Sequence, residues 1–157
     1  MRVLRRMYLL GVAVLGVMQT AVYGQTPPPA FRKDAELVFL SAKGATRARI
    51  DVEIAERTAD RWRGLMFREK MDENQGMLFI FPAEETLSFW MKDTPLALDI
   101  IYLNADRTIV TIRKNTVPYS EESVPSDVPA KYVVEVNAGF ADRHHLEPGD
   151  KAFWQRL

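Results

Sequence analysis

The sequence predicts an α+β fold: a compact, mainly antiparallel, β-rich and barrel-like single domain with one main helix near residues 58–69. Three observations carry that expectation. Arg47 to Ile54 alternates strictly between charged and apolar side chains, the pattern of a half-buried strand. Met77 to Phe81 is unbroken apolar sequence, as in a strand covered on both faces. After Ala35, seven or so short apolar runs return between clusters of turn-forming residues, leaving space for only one helix of any length.

Taken in order, the chain opens with Arg2, Arg5 and Arg6, an apolar run from Met7 to Met18, and the small-residue pattern Val22-Tyr23-Gly24. This is the layout of a secretory signal peptide, expected to span residues 1–24. Its apolar run is far shorter than the roughly twenty residues a membrane-crossing helix needs, so no span is expected after cleavage. Residues 25–34 carry Pro27-Pro28-Pro29 and no periodicity, and read as an extended tether; the domain is expected over 35–157.

In the strand from Arg47, Ala48, Ile50, Val52 and Ile54 face the core and the charges face away. Thr58 is placed to cap a helix in which Trp62, Leu65 and Met66, at i, i+3 and i+4, are buried while Arg57, Arg61, Arg63 and Arg68 stay outside. Gly76 releases the chain into the strand Met77–Phe81, which Pro82 is expected to stop; a second strand runs from Thr86 to Met91. Ala97–Leu103 and Thr108–Arg113 flank the turn-forming Asn104-Ala105-Asp106-Arg107 and form a hairpin. Residues 114–130, with Pro118, Pro125 and Pro129, are expected as a long irregular loop. A strand from Tyr132 to Ala138, a helical turn from Gly139 to Leu146 and a closing strand from Lys151 to Gln155 complete the chain.

Composition excludes several classes of function. The chain has no cysteine, which removes disulfides, thiolate metal sites, a thiol nucleophile and lipid attachment through cysteine. Once the three leader arginines are gone, 18 basic side chains face 21 acidic ones, so nucleic-acid binding has no electrostatic footprint. His144 and His145 are adjacent and diverge, which suits solvated turn residues better than a shared metal. Met66, Met71, Met77 and Met91 are soft copper-type ligands in principle, but their aromatic and aliphatic neighbours mark them as core filling. No metal and no cofactor is expected.

A few polar residues remain that packing alone does not call for. Trp90 and Lys92 share one face of their strand, a pairing that stacks a flat or sugar ring and holds an anion beside it. Asp99 is the one charge in an apolar strand and needs a donor such as Lys92, Arg68 or backbone amides. Glu135 and Asn137 form a second polar pair in an apolar strand, and would converge with Asp99 and Lys92 on one small cavity if the two strands are neighbours. Asp99 and Glu135 are also the candidates for an acid and base, as in glycoside cleavage.

The motifs Gly64-Leu65-Met66-Phe67-Arg68, Gly76-Met77-Leu78-Phe79-Ile80-Phe81, Trp90-Met91-Lys92, Leu98-Asp99-Ile100-Ile101-Tyr102, Glu135-Val136-Asn137-Ala138-Gly139 and Gly149-Asp150 stand in one order over Ala35 to Trp154. In that combination the chain resembles the domain-of-unknown-function 192 family. The resemblance implies a small, single-domain, β-rich protein, often exported, with no established activity. Two departures matter. Asp93 stands where the family's pattern usually has asparagine, replacing an amide that donates by a carboxylate that accepts, and Ala97 stands where many members carry proline.

The functional expectation is a non-enzymatic exported domain of the cell envelope, periplasmic or extracellular. Arg68, Trp90, Lys92, Asp93, Asp99, Glu135 and Asn137 are its candidate ligand-binding residues, toward a small polar or glycan-like ligand, an envelope component or a partner segment. The alternatives are a scaffold without a ligand and a carboxylate-dependent hydrolase of envelope polysaccharide.

Overall fold

A computed structural model describes residues 30–157. The expected signal peptide, and the part of the tether holding Pro27-Pro28-Pro29, lie outside the described residues. Seven strands and two short helices follow in the order β1 (Ala35–Leu40), β2 (Thr46–Ala55), α1 (Thr58–Arg63), β3 (Gln75–Phe89), β4 (Leu98–Leu103), β5 (Ile109–Arg113), β6 (Val124–Asn137), α2 (Phe140–Arg143) and β7 (Lys151–Arg156). They build one sheet in the order β5-β4-β6-β3-β2-β1-β7. Only β2 and β3 run parallel; the other neighbours are antiparallel.

The fold is therefore mostly β, as the patterning predicts, but the sheet is open and not a closed barrel. Its outer strands touch at one corner, through a bridge between Thr108 and Lys151 and bonds from Ile109 N to Asp150 O and from Ala152 N to Arg107 O. Beyond that corner β5 pairs with β4 and β7 with β1, so no ladder closes the gap.

The main helix is shorter than its periodicity predicts. It ends at Arg63 because Gly64 takes φ +48°, and the chain then turns through Phe67, itself at φ +63°. Leu65 and Met66 are buried from this turn, whereas Trp62, expected to face the core, is 70 % exposed. The residue preceding the helix is Arg57, and Thr58 supplies no cap.

The second difference concerns proline. Pro82 does not stop the strand: β3 runs on to Phe89, and the residue lies within a register shift between Ile80 and Glu85, where no ladder bond asks for its missing N–H. On the partner strand, Pro125 and Pro129 lie inside β6 opposite Ser88 and Thr86, so the irregular loop shrinks to residues 114–123.

Register assigns side chains to faces. Glu53, Met77, Glu135, Ile100 and Arg113 form one row across β2, β3, β6, β4 and β5, with Phe79, Val133 and Tyr102 in a neighbouring row on the same face. The opposite face carries Leu37, Ile50, Val52, Leu78, Ile101, Val134 and Val136, and is closed over by Phe140, Ala141 and Leu146. The first face packs Met77, Phe79, Ile100, Tyr102 and Val133 against Leu65, Leu87 and Met91, and α1 covers it only in part.

Gly76 sits where β3 and β6 meet tightly. A Cβ there would lie 2.7 Å from the Glu135 carbonyl oxygen and 3.1 Å from Val136 Cγ1, so β3 and β6 meet across a position that accepts no side chain. Gly76→Ala is expected to lower stability by about 1–3 kcal/mol through overpacking of backbone that cannot withdraw, read as an earlier urea midpoint; an unchanged midpoint would contradict this account of the pairing.

Candidate functional site

The incomplete cover by α1 leaves a cleft of about 330 Å³ between the helix, its following turn and the far end of β3, within the range of small-molecule sites. Its floor is formed by buried Leu65, Met66, Phe79, Thr94 and Glu135. Trp62 and Trp90, the latter 41 % exposed, stand at the rim. Phe81 and Phe89 complete the wall: Phe89 lies 5.0 Å from Phe79, 6.2 Å from Phe81 and 5.9 Å from Tyr102 between ring centroids, each pair edge to face.

Two tight turns place these groups. Phe67 N donates to the Asp93 carbonyl at 2.7 Å, joining the turn after α1 to the turn after Trp90. Asp93 adopts φ +52°, a left-handed conformation that aspartate and asparagine tolerate better than most residues. That requirement accounts for a residue of either kind here, and the Asp93 side chain makes none of the hydrogen bonds among the described residues.

Glu135 is the group that packing does not explain. It is 4 % exposed, it lies between Met77 and Ile100 of the adjoining strands, and no donor among the described residues bonds to its carboxylate. Burial alone raises its pKa to about 8, so near neutral pH it is largely a protonated, neutral acid. Tyr102, on the same face, donates to the Val124 carbonyl at 2.5 Å. Its hydroxyl is held above its ordinary pKa by burial first and by the charge of Glu135 second.

The other expected site residues are placed elsewhere. Asp99 is fully buried but projects to the opposite face, because it pairs with Val136 and not with Glu135. Its two oxygens accept from Asn115 N and Ala141 N, each at 2.9 Å, pinning the loop after β5 and the start of α2. Asp99 and Glu135 thus do not flank a common space. Asn137 shares the face of Glu135, yet its amide donates to the carbonyls of Met71 at 2.9 Å and Asp72 at 3.2 Å and fixes that loop. Arg68, expected on the surface, is buried and bonds Glu53 at 2.9 and 3.0 Å, while Glu53, expected to face solvent, is buried with it. Lys92 lies 5.5 Å over the Trp90 ring and 3.2 Å from Glu121, outside the cleft lining. Of the seven expected residues, the structure brings Trp90 and Glu135 into one cleft.

Sequence reasoning missed Trp62, Phe81, Phe89 and Thr94. The available signal was Trp62, a large aromatic in a short helix otherwise rich in charge. A second hollow, of about 470 Å³, runs along β1, β2 and β7, but none of its polar lining residues is buried, and Glu36 and Asp51 are paired with Lys33 at 2.7 and 3.0 Å. Among the described residues no group of carboxylates and histidines is arranged to hold a metal ion, and no helix is long and apolar enough to cross a membrane.

Fold and cleft together define a small mixed-sheet domain with one aromatic cleft floored by a carboxyl group. The model of DUF192, described as "Uncharacterized ACR", matches residues 38–154, and the chain belongs to this family. It is 30 % identical over 124 residues to UPF0127 protein PF1050 of Pyrococcus furiosus, covering 76 % of this chain and 99 % of that one. Among solved structures, it is similar to a Sinorhizobium meliloti protein described as a "putative transcription regulator", with TM-score 0.75, 36 % identity, and 81 % and 97 % of the two chains covered. It is also similar to a protein of unknown function from Novosphingobium aromaticivorans, with TM-score 0.72, 34 % identity, and 76 % and 84 % covered.

Two outcomes follow from these placements. Replacing Asp99 by asparagine leaves one of two amides facing an NH₂ group, which is expected to cost about 1–3 kcal/mol in urea unfolding; a cost near zero would contradict the pinning role. For Glu135, the unfolded chain loses its proton near 4.5 and the folded chain near 8. Between those values the folded state holds a proton the unfolded state has released, so stability falls as pH rises through the window and levels off above it. The fall is on the order of a few kcal/mol, and the difference between the protein and its Glu135→Gln variant, measured at pH 5, 7 and 9, is expected to carry it.

Proposed function

We propose that this domain is an exported, non-enzymatic binding module of the cell envelope whose cleft receives a small ligand. The observation that carries the reading is Glu135, a buried carboxyl without a partner at the floor of an aromatic cleft. Buried polar groups in folded proteins are almost always bonded, and one left open toward a cleft is a group for a ligand to complete. Trp62 and Trp90 at the rim offer flat apolar surface to the body of such a ligand, sugar rings included, and Glu135 and Thr94 receive its polar end. The leader-like residues 1–24 support export.

The geometry favours binding over hydrolysis, since the two carboxylates proposed as acid and base project to opposite faces of the sheet. The description of the S. meliloti relative concerns that protein. Here the excess of acidic over basic side chains beyond the leader supports a small ligand over nucleic acid.

The test is amide NMR of the protein titrated with amines, sugars, short peptides and nucleotides. Saturable shifts confined to residues 61–67, 79–94 and 135 are expected for at least one class, with affinity lowered at least tenfold in Trp90→Ala while the fold is retained. Shifts confined to the β1, β2 and β7 hollow, or none, would overturn the proposal and leave the scaffold reading.

A further inference from the structure

The floor of the cleft also restricts what the ligand presents. Arg68, a buried cation, is committed to Glu53, which shares the row of Glu135 from β2. Arg113, two strands away on β5, donates to the Pro125 carbonyl at 2.9 Å and pairs with Asp127. Of the two arginines that line the cleft from α1, Arg61 lies 5.2 Å over the Phe81 ring and donates to the carbonyls of Glu56 and Ile80, and Arg63 is exposed. Tyr102 on β4 spends its proton on Val124. The groups from β3, β2, β4, β5 and α1 that face Glu135 thus leave its carboxyl without a bonded cation or donor, and the one uncommitted cation of the cleft among the described residues, Arg63, is exposed on α1.

A negative ligand group would accept one hydrogen bond from the neutral carboxyl but would face the negative ring faces of the aromatic wall, and a neutral one gains a single hydrogen bond. A positive group gains a charge-assisted bond in a site partly shielded from water, together with the electron-rich aromatic wall. We propose that the cleft receives a protonated primary amine, seated on the Glu135 carboxylate and enclosed by Trp62, Phe81, Phe89 and Trp90. This rests on the reading of the cleft as a ligand site. Binding then proceeds with a proton balance: the neutral Glu135 carboxyl gives its proton to solvent, and the ammonium, retaining its own three, bonds the carboxylate left behind.

The chemistry is shared by a free alkylamine and by a lysine side chain on a partner peptide, and the probes separate them. n-Butylammonium, the isosteric n-butanol and butyrate are titrated at millimolar concentration, followed by acetyl-Gly-Lys-Gly-amide, with amide NMR for site and affinity. Calorimetry in two buffers of different ionisation heat counts protons. At pH 7, n-butylammonium is expected to bind at least tenfold more tightly than n-butanol, with close to one proton released. Its affinity should rise up to tenfold per pH unit toward pH 8 and then flatten. Glu135→Gln should remove the preference and the proton release while leaving the weak n-butanol shifts in place. A tripeptide at least tenfold tighter than n-butylammonium supports a lysine-bearing partner; equal or weaker binding supports a free amine. If n-butanol or butyrate binds at the cleft as well as n-butylammonium, or no proton is released, the amine is overturned and the ligand cleft stands. If no probe shifts the cleft residues, the amine inference falls; failure of the wider panel in Trp90-dependent binding is what removes the cleft reading.

Discussion

The pairing of β3 with β6 is the constraint on which the other arrangements depend. These are the two longest strands, they lie side by side near the middle of the sheet, and at Gly76 they approach until no side chain fits between them. That contact fixes the register in which Glu135 lies opposite Met77, and through β4 opposite Ile100. A slip of one residue would exchange the two faces, sending Glu135 into the closed core and Val136 into the cleft. The placement of one carboxyl therefore depends on a glycine fifty-nine positions earlier in the chain.

The two faces of the sheet carry their polar residues differently. On the closed face Asp99 has both oxygens bonded to backbone amides and acts as a clamp on two loops. The buried Asp150 works in the same way, accepting from Ala42 N at 3.0 Å and joining the turn after β1 to the approach of β7. On the other face Glu53 is matched by Arg68 and Asn137 by two carbonyls, leaving Glu135 open toward the cleft. Burying a charge is costly unless it is paired, and removing one partner of the Glu53 and Arg68 pair would leave the other stranded. The short helix is part of the same arrangement, because α1 buries none of its own residues and stands as the wall of a cleft instead of a lid.

Much of the fold was legible because it rests on local pattern. Alternation over residues 47–54 marked β2, and the turn formers at 104–107 marked the β4–β5 hairpin. The errors come from residues whose meaning is set by distant neighbours. Pro82 read as a stop and Pro125 and Pro129 as loop residues, yet the register shifts between β3 and β6 accommodate them within strands. Arg68 and Glu53 read as surface charges because each is solvated unless the other is present, fifteen residues away. The helix read too long because Leu65 and Met66 keep helical spacing across a turn that Gly64 begins. For the site, strand alternation singled out Trp90 and Glu135, but whether Asp99 and Glu135 share a face depends on strand register, which no local pattern encodes. Phe81 and Phe89 were indistinguishable from core residues until the incomplete cover of the sheet was seen.

Glu135 is buried, bonded to no donor among the described residues and open to the cleft, and the proposed ligand chemistry depends on that condition. ¹³C NMR titration of its side-chain carboxyl, assigned by loss of the resonance in Glu135→Gln, measures that condition without a ligand. The structure predicts a midpoint at about 8, where burial alone acts. A midpoint near the ordinary value of 4.5 would show that the carboxyl is solvated or already partnered, and would contradict both the closed floor of the cleft and the ligand chemistry inferred from it.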